Sequence, residues 1–391
     1  MKYNFDEVVE RRNTNCMKWD GVEEKFGNKD VIPMWVADMD FKSPKPVMDA
    51  IIERAKHGIF GYTRKPDSYD EAIINWYKKR HNWSIDREWL SFSPGVVAGL
   101  TIIIRAFTHL GDQVIIQTPV YYPFYDVIRN NGCTIVENPL KFEGDKYVMD
   151  YEDLEEKVKD PRVKLLILCS PHNPVGRVWT KEELTKLGEI CIENDVMVVA
   201  DEIHCDLIYK GYKHTSFASI SDKFAQNSIT TIAPSKTFNI AGLQASSVVI
   251  PNEKLLIQYN EILNRHRTYH INVFALVAVE AAYRHGEDYV DQLMEYLERN
   301  LNYLIDFIDK NIPQIKVIKP EGTYLIWLDC RDLGMDINEL NDLMVNKAGV
   351  AFDDGYWFGD MGNGFMRMNI ACPRKNIEKA LNNIKEAIDN I

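Results

Sequence analysis

The chain has no long hydrophobic run. None of its 391 residues belong to a stretch approaching the roughly 20 apolar residues that a membrane-spanning helix needs. Its longest apolar runs are strand-sized. The opening MKYNFDEVVERRNTN lacks the apolar core of a secretory signal, so a cytoplasmic address is expected. Positive charge is scarce too: 46 Lys and Arg stand against 58 Asp and Glu, a formal net charge of -12. That balance speaks against a nucleic-acid partner, which basic surfaces serve. Cysteine is present but unorganised. The seven residues (16, 133, 169, 191, 205, 330, 372) are scattered, odd in number and without a C-x-x-C pair. This pattern reads as reduced thiols, not as a disulfide framework or a zinc site. His266 and His270 are four apart in an expected helix, but the pattern offers no companion carboxylate and third ligand, so no metal is expected there. Repeats, low-complexity tracts and charge blocks are also missing.

What remains is an ordinary globular composition, 46% hydrophobic and 27% charged, long enough for two domains. From about residue 91 to 250, apolar runs alternate with helical patterns. Strands are expected at Gln113–Gln117, Cys133–Glu137, Val163–Cys169, Val196–Ala200, Ile229–Ala233 and Ser246–Ile250. Helices are expected at Val96–His109, Tyr122–Asn130, Leu154–Lys159 and Lys181–Asn194. Continuous β-branched runs such as VKLLILC and VMVVA indicate strands covered on both faces. Their alternation with helices indicates an α/β fold with a large, doubly wound, mainly parallel sheet.

Beyond residue 250 the spacing changes to long helices, near 253–285 and 287–310. Short strands (Ile315–Ile318, Tyr324–Leu328, Phe365–Asn369) and helices (Asn338–Ala348, Lys375–Asp389) follow. The expected organisation is an arm with part of a small domain at 1–45, a large domain at 46–286 and a small α+β domain at 287–391. The helix near 287–310 would link the two.

Ligands of open α/β sheets bind beyond the carboxyl ends of the strands. Four strands here deliver a chemically useful residue just past that end: Tyr121 in TPVYYPF, Asn173 in SPHNPVG, Asp201 and His204 in DEIHCD, and Lys236 in PSK. Each alone has a dull explanation as a turn, a cap or a packing residue; together they match the needs of one cofactor, pyridoxal phosphate. A lysine beyond an apolar strand loses its proton more readily and can form a Schiff base with an aldehyde. A buried carboxylate at Asp201 would keep a pyridinium nitrogen protonated. Asn173 and His204 would serve the ring's phenolate oxygen, and Tyr121 would stack on the ring. SPGVVAGL opens a helix whose first N–H groups, at Val96 and Val97, suit a phosphate, as does the Ser235 hydroxyl.

SPHNPVGRVWTKEEL, ADEIHCDLIY and APSKTFNIAGL resemble the three central signatures of the fold-type I, class I/II aminotransferase superfamily. IPMWVADMDF, FGYTRKPDSY, the histidine three residues after Asp201 and FDDGYWFGDMGNGFMRMNIACPR are similar to its MalY/PatB-type cystathionine β-lyase branch, also called C–S lyases. The resemblance spans essentially the whole chain. It implies a cofactor anchored on Lys236 and a homodimer in which Tyr62 reaches the phosphate of the other subunit. It implies that Arg367 grips the substrate carboxylate and that Ala37 offers its N–H to the same group. One departure stands out: many members carry a cation eight residues after the lysine, and here that residue is Gln244. Trp35, Tyr356, Trp357 and Phe358 are read as either an aromatic pocket for a thioether or core packing.

The implied reaction is α,β-elimination, with Lys236 as the Cα base and Lys236 or Tyr121 protonating the leaving sulfur. A true aminotransferase using the same residues is the nearest alternative. A regulatory protein on the same scaffold is the other.

Overall fold

The computed structural model describes residues 1–391. Its centre is a seven-stranded sheet: β1 (Leu90–Ser93), β2 (Gln113–Ile116), β3 (Thr134–Glu137), β4 (Val163–Cys169), β5 (Met197–Asp201), β6 (Ser228–Ile232) and β7 (Ser246–Val249). The spatial order is β1-β7-β6-β5-β4-β2-β3. Strands β6, β5, β4, β2 and β3 pair in parallel, and β7 runs antiparallel to both its neighbours. The apolar runs explain this sheet. In β4 every residue but Lys164 is buried, as expected of a strand with helices on both faces. Each fully buried Leu or Ile there contributes roughly 1.5–3 kcal/mol. The reversal of β7 has a consequence for the site: its N-terminal approach, Gln244 and Ala245, lies at the edge where the other strands end.

A second, four-stranded antiparallel sheet has the order β8-β9-β11-β10, with β8 Lys316–Ile318, β9 Leu325–Asp329, β10 Asp353–Asp354 and β11 Phe365–Asn369. The helix Arg374–Asp389 packs against the 25-residue helix Glu287–Asn311, which buries Leu293, Leu297, Leu301 and Leu304 along one face. The longest helices are too polar, and no helix is apolar enough to cross a membrane.

Three expectations need correction. The helix near 253–285 is two helices, Glu253–Arg265 and Val273–His285. Asn272 ends the break by accepting the N–H groups of Phe274 and Ala275 on its side chain. His266 therefore caps one helix, His270 lies in the connection, and the two do not share a helical face. The helix expected at Asn338–Ala348 is α-helical only over Ile337–Asp342 and continues as a π-helical turn to Lys347.

The first 45 residues hold short helices, Met17–Asp20 and Val22–Phe26, and the strand Ile32–Pro33, paired in parallel with Val350–Ala351. The arm is fixed by charge. Arg11 bridges Asp38 and Asp40 at 2.7 Å each, and the fully buried Lys18 meets Asp40 at 2.9 Å. Breaking one member of such a buried set leaves an uncompensated charge, so the cluster fixes the arm to the loop 35–41.

Candidate active site

The carboxyl edge of the large sheet opens into a cavity of about 200 Å³. Val96, Tyr121, Asn173, Asp201, His204 and Lys236 line it, as do Val97, Ser235, Ala37 and Gln244. The geometry thus brings together residues delivered by five strand ends and the loop 35–41. Arg367, from β11, joins through a hydrogen bond from its Nη1 to Asn173 Oδ1 at 3.0 Å. Tyr62 is not brought to this cavity: the residue is 99% exposed and its ring lies beside His270.

Lys236 Nζ donates to the Ala37 carbonyl at 2.6 Å, and the Tyr324 hydroxyl donates to the same oxygen at 3.0 Å. Burial, with the Arg367 charge adding to it, pulls the Lys236 amine down to about 8 against the pull of Asp38 and Asp201. A fraction of the amine is therefore unprotonated near neutrality, as a base or nucleophile requires.

Asp201 is the last residue of β5 and is buried. Burial pushes its carboxyl up to about 7. Its protein donors, the Ile203 N–H at 3.2 Å and the Thr231 hydroxyl at 3.4 Å, both go to Oδ1. Oδ2 is left for a ligand. Burial also drives His204 well below the usual imidazole range, so its ring is neutral, and its buried Nδ1 has no partner within the chain. The Asn173 carbonyl oxygen is taken by Arg367, which leaves its amide NH2 as the donor.

At the other end of the cavity the helix Val96–Phe107 begins without a side-chain cap. Gly95 before it has φ +100, a conformation L side chains rarely adopt, and this turn leaves the first helical N–H groups uncapped at the cavity wall. These groups, the Ser235 hydroxyl and the Gln244 amide form an anion-binding end without a cation. Gln244 itself is left-handed, at φ 51. The donor set fits pyridoxal phosphate: an uncapped helix start for the phosphate, an unpartnered carboxylate oxygen for the pyridine nitrogen, and a low-pKa amine for the aldehyde.

Arg367 is 1% exposed. Besides Asn173 it donates to the Trp35 carbonyl at 2.9 Å and pairs with Asp353, which lies opposite it in the β10–β11 register. Asp353 escaped the sequence reading, although it stands in the quoted segment FDDGYWFG; strand register, which motif spacing does not carry, makes it the partner of Arg367. Asn239 was missed as well. Its side chain accepts the Met39 N–H at 3.0 Å and donates to the Met39 and Phe41 carbonyls at 2.8 Å each, clamping the loop 35–41 to the Lys236 segment.

The four aromatic candidates separate. Phe358 is fully buried against Trp327 and the Arg367 guanidinium, so it is core. Trp35 is 7% exposed and donates its indole N–H to the Lys18 carbonyl. Trp357 is half-buried and Tyr356 exposed.

The family model of class I and II aminotransferases matches residues 29–384. The chain is 47% identical to cystathionine β-lyase PatB of Bacillus subtilis, over 98% of this chain and 100% of that one. It is 34% identical to the protein MalY of Escherichia coli, over 99% of both. Among solved structures it is similar to cystalysin of Treponema denticola, which contains pyridoxal 5'-phosphate, with a TM-score of 0.97 and 38% identity over the full length of both chains.

Proposed function

We propose that this chain, which belongs to the family of class I and II aminotransferases, is a pyridoxal phosphate-dependent carbon–sulfur lyase. Its reaction is the α,β-elimination of cystathionine, or a related cysteine S-conjugate, which with uptake of one water yields a thiol, pyruvate and ammonia; from cystathionine the thiol is homocysteine. The observation that carries the chemistry is the Lys236 amine, pulled down to about 8 in a cavity shared with Asp201 and, through Asn173, with Arg367. The choice of elimination over amino-group exchange is supported by the 47% identity with a cystathionine β-lyase across the whole chain.

When bound, pyridoxal phosphate supplies an aldehyde for the substrate nitrogen and a cationic ring that withdraws electrons from Cα. The residues around it have separate tasks. Asp201 Oδ2 would hold the proton on the ring nitrogen. Asn173 and His204 would serve the phenolate oxygen, and Tyr121 would stack on the ring. The Val96 and Val97 N–H groups and Ser235 would hold the phosphate. Arg367 binds the substrate α-carboxylate through its planar fork, and the Ala37 N–H faces the same group. Lys236 takes the Cα proton as general base. The C–S bond then breaks with both electrons leaving on sulfur, and Lys236 or the Tyr121 hydroxyl gives that sulfur a proton. Burial raises the Tyr121 phenol, so it holds its proton until this step.

The same reading includes a homodimer in which Tyr62 of a second copy reaches the phosphate. It is supported by the exposure of Ile59, Phe60 and Tyr62 in one segment. A large domain at 46–286 and a small one at 287–391 belong to the reading, as does a cytoplasmic setting, which suits seven free cysteines.

Incubation of the purified protein with cystathionine tests it. Pyruvate and a free thiol in equal amounts are expected, together with loss of both in Lys236→Ala. Keto-acid exchange without thiol would establish an aminotransferase instead. A protein that takes up no cofactor and turns over neither substrate would point to a regulatory role.

A further inference from the structure

The ammonium of Lys25 sits 3.8 Å from the centre of the Trp357 ring. Lys25 is exposed, and the two carboxylates whose field it shares are occupied elsewhere. Asp353 is held by Arg367, and both oxygens of Asp354 accept from the Asn341 amide. Lys25 is thus an unpaired cation positioned by an aromatic face.

Its place relative to the site is defined by an aromatic wall. The Trp35 carbonyl accepts from Arg367, and the Trp35 ring meets Phe26 edge-on at 5.4 Å. Phe26 stacks on Trp357 at 6.3 Å. From the other side, Tyr121 lies 5.4 Å from Tyr122, whose ring meets Trp357 at 6.0 Å. Two aromatic paths, one from the carboxylate-binding arginine and one from the ring-stacking tyrosine, therefore converge on Trp357 and end at Lys25. Outside them a surface groove contains Lys25 and Trp35 together with the acidic side chains of Asp20 and Glu24.

We propose that Lys25 on Trp357 is a specificity-determining subsite for the leaving half of the substrate, selecting cysteine S-conjugates whose departing thiol carries a carboxylate. The inference rests on the lyase reading. With the α-carboxylate on Arg367 and the nitrogen at the cofactor, the β-sulfur and the atoms beyond it extend away from Arg367. Methylene groups beyond the sulfur pack on Trp357 and Tyr122, and a carboxylate at their end meets the Lys25 ammonium. Asp20 is occupied by the N–H groups of Asn13, Thr14 and Cys16, but the exposed Glu24 carboxylate suits an ammonium on the same head, so a second amino-acid group matches the groove better than a simple acid. A conjugate with a short neutral thiol reaches none of these groups.

The test compares cystathionine with S-methyl-L-cysteine on the holoenzyme. Lys25→Met is expected to lower kcat/KM for cystathionine about fivefold, mainly through KM, and to leave S-methyl-L-cysteine unchanged. Lys25→Arg is expected to restore most of the loss. In the unaltered enzyme, high salt is expected to shrink the preference for cystathionine, because the pair is open to solvent. Equal effects of Lys25→Met on the two substrates, or none on either, would overturn the subsite. Failure of the unaltered holoenzyme to release pyruvate from both substrates would instead overturn the lyase reading, and the subsite with it.

Discussion

Asp353 and Arg367 face each other across two antiparallel strands, and both are 1% exposed on their side chains. Burial nevertheless pushes Asp353 up to about 6, against the pull of the guanidinium. The pair neutralises a buried arginine. Asp353→Asn is expected to cost about 3 kcal/mol, because it leaves a buried guanidinium uncompensated. Thermal unfolding of the apo chain checks this. An unchanged melting temperature would mean that Asn173 and the Trp35 carbonyl suffice to hold Arg367.

The Asp201 carboxyl is raised to about 7 by burial, from an ordinary value near 4. Between those values the folded apo chain binds a proton more tightly than the unfolded chain. Stability from this group is thus complete below pH ~4 and is lost as pH rises through about 7. Asp201→Asn removes the effect. Apo Asp201→Asn is expected to melt above the unaltered apo chain at pH 8 and level with it near pH 4, while losing elimination activity at least about a hundredfold. Parallel melting curves across that range would refute the assignment.

Gln244 lines the anion-binding end of the cavity and brings no charge. Replacing it with Lys or Arg adds a cation beside the phosphate at a backbone position that already tolerates φ 51. Cofactor affinity is expected to rise about tenfold at low salt and by less at high salt. Equilibrium dialysis of pyridoxal phosphate measures it. Unchanged or weaker binding would show that the helix start and Ser235 already saturate the phosphate.

Tyr62, 99% exposed in the single chain, has a role in the proposed dimer that mixing separates from folding. Lys236→Ala and Tyr62→Ala chains are each expected to be severely impaired. Unfolded and refolded together in equal amounts, they are expected to recover about a quarter of normal activity, because half the dimers then hold one intact site of two. No recovery from the mixture would exclude a Tyr62 shared across the interface.

The sheet was legible because its strands are covered on both faces and so are written as unbroken apolar runs. The Val163–Cys169 and Phe365–Asn369 strands fall at the bounds the spacing predicts, and the other predicted strands of the large sheet shift by one residue. The strand-end residues were legible for the related reason that they follow those runs directly. The break between Arg265 and Val273 was not, because NRHRTYHIN contains neither proline nor glycine. The capping asparagine at 272 was its one visible mark. The contacts of the arm were hidden for another reason: Arg11, Lys18, Asp38 and Asp40 are ordinary charged residues until folding buries them together. Asp353 shares this opacity, since its partner is fixed by strand register.

The Asn239 clamp joins residues some 200 positions apart in the chain, with Met39 and Phe41 on one side and the Lys236 segment on the other. In genetic terms the two segments are one unit of inheritance. A chimaera that takes its first hundred residues from one relative and the remainder from another inherits half of that contact from each parent. Because the partners of Asn239 in the first segment are main-chain groups, such an exchange is expected to keep the clamp wherever the second parent supplies an asparagine at 239.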